Sequence, residues 1–181
     1  EESDQEVFLS NISASDRKLI EEGLNYPVDS AGRLMQRKFV AINNSWSVGN
    51  TIDYLRKEIE NLPQDFYEVY LIDKANIVSG IVALGRLMSS HRKVQLDKIQ
   101  NKETRLINVF TDQEEVAYQF NKYAMVSAPV VDQQNKIIGS ITVDDVVGVI
   151  EEEREEDILK LGGVGQVDIF EAIISTIKSR F

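Results

Sequence analysis

The stretch Ala128-Pro129-Val130-Val131-Asp132-Gln133-Gln134-Asn135-Lys136-Ile137-Ile138-Gly139-Ser140-Ile141-Thr142-Val143-Asp144-Asp145-Val146 lies without a gap over residues 69–87, with Asp132 on Asp73 and Gly139 on Gly80. Each copy holds two short apolar runs around an Asp-bearing turn, the pattern of a strand, a turn and a returning strand. Thr142-Val143-Asp144-Asp145 then opens a helix that runs into Glu151-Glu152-Glu153-Arg154-Glu155-Glu156-Asp157. Self-similarity at a fixed spacing argues for a duplicated supersecondary unit that packs against its copy. Each unit is too small for a good core alone, so the two are expected to share one.

Working outward, each copy is preceded by a strand and a helix. In the first unit the spacing predicts a strand at 39–42, a helix at 47–56 with Val48, Ile52 and Leu55 on one face, strands at 67–72 and 77–82, and a helix at 84–90. In the second it predicts a strand at 106–109 and a helix at 112–123, capped by Thr111 or Asp112, with Glu114 and Glu115 in its first turn, where carboxylates suit the positive dipole end. Both units read strand, helix, strand, strand, helix. Each begins with a turn, at 30–35 and 94–99.

Four regions follow. Residues 1–26 read as the remnant of an N-terminal helical domain, with an amphipathic segment at 15–24. Residues 27–93 form the first unit and 94–161 the second. Residues 162–181 open on Gly162-Gly163, a helix stop and joint, and read as a connecting helix whose apolar stripe of Ile169, Phe170, Ile173, Ile174, Ile177 and Phe181 packs back on the domain, lines a partner or leads towards a membrane. The ending at Ser179-Arg180-Phe181 reads as a cut chain.

Composition narrows the chemistry. The chain has 181 residues and a formal net charge of −10, from 30 acidic and 20 basic residues. That charge disfavours nucleic acid, whose phosphates need a basic surface, and suits divalent cations or basic surfaces. Cysteine is absent and His91 is the single histidine, which removes disulfides, thiolate sites and imidazole-rich zinc or iron sites. His91 reads as a surface residue beyond a helix end. No apolar run approaches the roughly 20 residues that cross a bilayer. No nucleophile, base and orienting group recur in a catalytic arrangement, and no glycine loop cradles phosphate, so an enzyme is not expected.

The duplicated unit resembles a pair of cystathionine-β-synthase-type (CBS) domains, an α/β tandem or Bateman module with short flanking helices. More narrowly, Tyr26-Pro27 with Ser30-Ala31-Gly32-Arg33-Leu34-Met35, Asp112-Gln113-Glu114-Glu115-Val116-Ala117, Ala128-Pro129-Val130-Val131-Asp132, Thr142-Val143-Asp144-Asp145-Val146 and Glu156-Asp157-Ile158-Leu159-Lys160-Leu161-Gly162 resemble the cytosolic part of MgtE-type magnesium transporters. The resemblance spans nearly the whole chain. It implies a regulatory domain that senses Mg2+ at acidic sites and gates a pore in membrane helices missing from this sequence. It also implies a homodimer, a helical domain before the module, and a place at the cytoplasmic face of the membrane.

The matching metal positions are Asp112 and Glu114 at one helix start, Asp145 at another, and Glu153, Glu156 and Asp157 in the acidic run. Magnesium prefers oxygen ligands and keeps several waters, so one or two carboxylates per site suffice. Glu153, Glu156 and Asp157 stand at i, i+3 and i+4, where like charges cost a helix about 0.2–0.5 kcal/mol per pair. A dication would remove that repulsion. The same run also reads as a solvated helix face, and Thr142 to Asp145 as a simple helix cap.

ATP is the other ligand the resemblance implies. The pattern in which a hydroxyl meets phosphate and a carboxylate meets ribose survives as Gly139, Thr142 and Asp145. Its first-unit counterpart reads Gly80, Ala83 and Arg86, without either polar contact, which argues against a nucleotide there, although Arg86 can pair with phosphate. Two rival readings stand beside the magnesium sensor: a CBS module sensing adenine nucleotide, and a dimerisation scaffold that senses nothing.

Overall fold

The computed structural model describes residues 23–161. The expected segments at 15–22, Gly162-Gly163 and 167–181 lie outside the described residues. Among the described residues no helix is long and apolar enough to cross a membrane.

Two βαββα units form. The first consists of β1 (Ala41–Asn43), α2 (Val48–Lys57), β2 (Glu68–Ile72), β3 (Val78–Ala83) and α3 (Leu84–Ser89), preceded by the four-residue helix α1 (Ala31–Leu34). The second consists of β4 (Ile107–Asn108), α4 (Gln113–Tyr123), β5 (Ser127–Val131), β6 (Ile137–Thr142) and α5 (Val143–Leu161), preceded by a 3-10 turn at Leu96–Lys98. The order and type of these elements follow the sequence expectation, with strand ends displaced by a residue or two. Each unit makes its own three-stranded sheet, in the orders β1-β2-β3 and β4-β5-β6. The first two strands of each are parallel and the last two antiparallel.

The central strands explain why these runs are continuously apolar. A strand covered on both faces has no solvent side to mark with polar residues. Val69, Tyr70 and Leu71 are all buried, and so is every residue of β5. The turns are duplicated to the atom. Asp73 Oδ1 accepts from the N–H groups of Ala75 and Ile77, and Asp132 Oδ1 from those of Gln134 and Lys136. Asn76 and Asn135 close the two turns at φ 63° and 60°, a left-handed conformation that asparagine tolerates.

Caps set the helix starts. Ser47 Oγ accepts from Asn50 N at 3.2 Å to open α2. Asp112 Oδ1 accepts from Glu114 N at 2.8 Å to open α4, which selects Asp112 over Thr111 as the cap. Ala124, at φ 49°, ends α4 and returns its N–H to Phe120 and Asn121.

The two cores exchange their lead-in segments. Ala31 and Met35, which precede the first unit, belong to the core of Ile107, Val116, Phe120, Val130 and Ile141 in the second. Leu96, which precedes the second, belongs to the core of Val40, Val48, Val69 and Leu71 in the first. The backbone repeats the exchange: Ser30 bridges Asp112 and Gln36 bridges Ser140, while Gln95 bridges Ser47 and Asn101 bridges Ile81. The sequence order places each turn at the opening of its own unit. The structure sends each across the seam, because the apolar gap that it fills lies on the other sheet.

Candidate functional site

Asp112 and Glu114 stand together in the exposed first turn of α4. Asp112 is partly committed there as the cap, but an ionised carboxylate has lone pairs to spare. Glu115, one residue on, is engaged by Gln119 Nε2 at 2.8 Å.

Asp145, in the first turn of α5, has different company. Its Oδ2 accepts from Thr142 N and from Thr142 Oγ1, both at 2.8 Å. The carboxylate thus makes the cap contact that the sequence suggested, while the Thr142 hydroxyl donates to it rather than capping the backbone. Gln36 Nε2 then lies 3.0 Å from each oxygen of Asp145 and 3.4 Å from Thr142 Oγ1. Asp145 is half-buried, whereas Asp144 beside it is exposed.

Glu153, Glu156 and Asp157 lie on the backbone of α5, which keeps their i, i+3, i+4 spacing. Among the described residues no three acidic or histidine side chains converge on one point. The candidate carboxylates stand at two helix starts and along one long helix. Hard oxygen donors of this kind fit magnesium, which accepts one or two carboxylates and completes its octahedron with water.

A buried polar chain crosses the seam between the two sheets. Tyr70 donates to Ser127 Oγ at 3.0 Å, and Ser127 donates to Glu68 Oε2 at 2.6 Å. With its proton directed to Ser127, the Tyr70 oxygen accepts from Ser140, 2.5 Å away. Burial pushes the Glu68 carboxyl above its ordinary range, and the hydrogen bond from Ser127 only partly offsets this. Burial also raises the Tyr70 phenol, opposed by its two serine contacts and reinforced by the charge of Glu68.

Two clefts open along the seam, each lined from both units. One, of about 400 Å³, takes in Gln36, Lys38, Asp65, Tyr67, Thr142 and Asp144. The other, of about 330 Å³, takes in Glu68, Asn101, Arg105, Met125 and Ser127. Sequence reading missed Gln36, Glu68 and Tyr70. The serines inside apolar strands, Ser127 and Ser140, were the available signal for the buried chain. Nothing in the sequence marked Gln36. Arg86 is exposed, and its carbonyl accepts from Ser89 and Ser90. His91 is exposed, as expected.

The CBS domain family matches residues 99–152, which cover the end of one lead-in and most of the second unit. The magnesium transporter MgtE of Thermus thermophilus is 33% identical over 153 residues, covering 84% of this chain and 34% of the transporter. The chain carries an MgtE-type CBS region. The soluble part of a magnesium transporter superposes on this MgtE-type pair with a TM-score of 0.78 at 29% identity, over 84% of this chain and 59% of the other. The cytosolic domain of the Mg2+ channel MgtE in complex with ATP gives 0.75 at 28% identity, over 80% and 58%. These likenesses extend through both units, so the MgtE-type region here is a tandem CBS pair. The chain spans about a third of the length of the curated relatives it matches.

Proposed function

We propose that this chain is the cytosolic regulatory domain of a magnesium transporter or channel, in which Mg2+ bound at acidic sites on the CBS pair gates a pore elsewhere in the protein. The observation that carries this reading is the likeness to MgtE across both units, at 28–33% identity in the relatives described above. The chemistry supports it. A surface of net charge −10, with carboxylates at two helix starts and along α5, repels itself and its neighbours until a dication binds. An ion that prefers the arrangement with acidic helices together shifts the population to that state.

The ligands in this reading are Asp112, Glu114, Asp145, Glu153, Glu156 and Asp157. Partners in this reading are a second copy in a symmetric homodimer, a helical domain preceding residue 27, and a membrane-embedded pore following α5. The domain works at the cytoplasmic face of the membrane.

Thermal unfolding across millimolar MgCl2, with NaCl matched for ionic strength, tests the proposal. A ligand of the folded state raises stability as its concentration passes the dissociation constant. A magnesium-specific rise, lost on replacing Glu153, Glu156 and Asp157 by their amides, is the expected result. A response no larger than that to matched salt overturns sensing by this region alone.

A second reading, adenine-nucleotide sensing, is favoured by one observation: a 28% identical relative was solved in complex with ATP. The 330 Å³ cleft offers the carboxylate of Glu68 and the guanidinium of Arg105 to such a ligand. ATP-dependent stabilisation without magnesium dependence would favour it.

A further inference from the structure

We propose that Gln36 is a resident occupant of the Thr142/Asp145 pair and decides what that pair accepts. A carboxylate bonded to the hydroxyl of Thr142, which lines a cleft of about 400 Å³ together with Gln36, is suited to a ribose, whose vicinal hydroxyls can donate to both carboxylate oxygens at once. In this chain that position is filled from within. The Gln36 amide nitrogen lies 3.0 Å from both oxygens of Asp145, where the two hydroxyls of a diol would sit. The single Thr142 hydroxyl proton is also directed to Asp145, at 2.8 Å.

The placement of this amide is built into the backbone. Gln36 N donates to Ser140 O at 2.8 Å, and Ser140 N donates to Gln36 O at 3.0 Å. Gly139 makes the approach feasible, since a Cβ there would lie 2.4 Å from Met35 Sδ and 3.1 Å from Gln36 O. The glycine of the Gly139, Thr142, Asp145 pattern therefore admits the chain's own segment. The first unit carries an amide at the same place without the pair it would serve: Asn101 bridges Ile81 just as Gln36 bridges Ser140, but the positions matching Thr142 and Asp145 are Ala83 and Arg86, and no carboxylate awaits a donor.

A neutral amide satisfies Asp145 without removing its charge. A diol must displace it and regain the same hydrogen bonds, so exchange brings little net gain. The half-site is thus closed to ribose-bearing ligands while Gln36 stays in place. This inference stands whether or not the other carboxylates sense magnesium.

The test is titration of AMP, with 2′,3′-dideoxy-AMP as the control, into the wild-type chain, Gln36→Ala and the double variant Gln36→Ala/Asp145→Asn. The expected result is at least tenfold tighter AMP binding by Gln36→Ala than by wild type, lost in the double variant and absent for the dideoxy compound. Equal AMP affinity in wild type and Gln36→Ala overturns the proposal, as does wild-type AMP binding that already falls tenfold on Asp145→Asn. A second measurement needs no folded Gln36 variant. In NMR spectra of the wild type, the Gln36 side-chain amide protons should exchange slowly with solvent and shift on Asp145→Asn; exchange as fast as that of an exposed glutamine overturns it.

Discussion

The Tyr70 hydroxyl, on the central strand of the first sheet, lies 2.5 Å from the Ser140 hydroxyl on the last strand of the second. Both residues are buried, with 2% and 5% of their surface exposed, so neither hydroxyl can turn to water instead. Tyr70→Phe leaves Ser140 without this acceptor and Ser127 without a donor. A buried polar group stripped of its partner costs about 1–3 kcal/mol. Urea unfolding should show a loss of that size, with little change in the slope against denaturant. A loss much below 1 kcal/mol would mean that water replaces the phenol.

The carboxylate at the end of the same chain predicts a pH effect. Burial holds the Glu68 carboxyl above its ordinary pKa of 4.5, so the folded state holds the proton more tightly than the unfolded chain does. This contribution favours folding below pH 4.5 and is lost as pH rises through the folded pKa. Glu68→Gln keeps an acceptor for Ser127 and removes the ionisation. It should melt higher than wild type at pH 7, with the gain shrinking towards pH 4. A gain independent of pH would assign the effect to something other than proton binding.

The metal candidates divide by how much they do without metal. Asp145→Ala removes the acceptor of Thr142 N, Thr142 Oγ1 and Gln36 Nε2 together, and should cost about 1–3 kcal/mol in metal-free buffer. Asp112→Asn with Glu114→Gln keeps a capping side chain, and should leave metal-free stability within about 0.5 kcal/mol while reducing any stabilisation by MgCl2. Equal losses for the two variants in metal-free buffer would contradict this division.

Much of the architecture is legible in the sequence because the duplication is local. The two Asp turns, the alternation of strand and helix, and the caps at Ser47 and Asp112 each depend on residues within a few positions of one another. Asp112 and Glu114 could be paired for the same reason, as neighbours on one helix start. The contacts that escaped reading join residues distant in sequence: Gln36 to Asp145, Glu68 to Ser127, Tyr70 to Ser140. No spacing rule links such positions. The apolar face of the lead-in at 30–35 shows that it will be buried, but not on which sheet.

Glycines test the packing at that seam. Gly139→Ala would press a methyl against Met35, which can shift, and against the carbonyl of Gln36, which is held by Ser140. Overpacking of this kind costs about 1–3 kcal/mol. Gly148, inside α5, meets nothing within 4 Å of an added Cβ, so Gly148→Ala should stabilise the chain by about 1 kcal/mol, the helix-propensity difference. Opposite signs for these two substitutions in one denaturation series are the expected outcome.

The exchange of lead-in segments ties the two repeats to each other. With Ala31 and Met35 in one core and Leu96 in the other, a cut between the repeats would leave each half with a hole that only the other half's leader fits. Such a unit is heritable as a pair. A single repeat with the same leader would complete its interior by trading leaders with a second molecule.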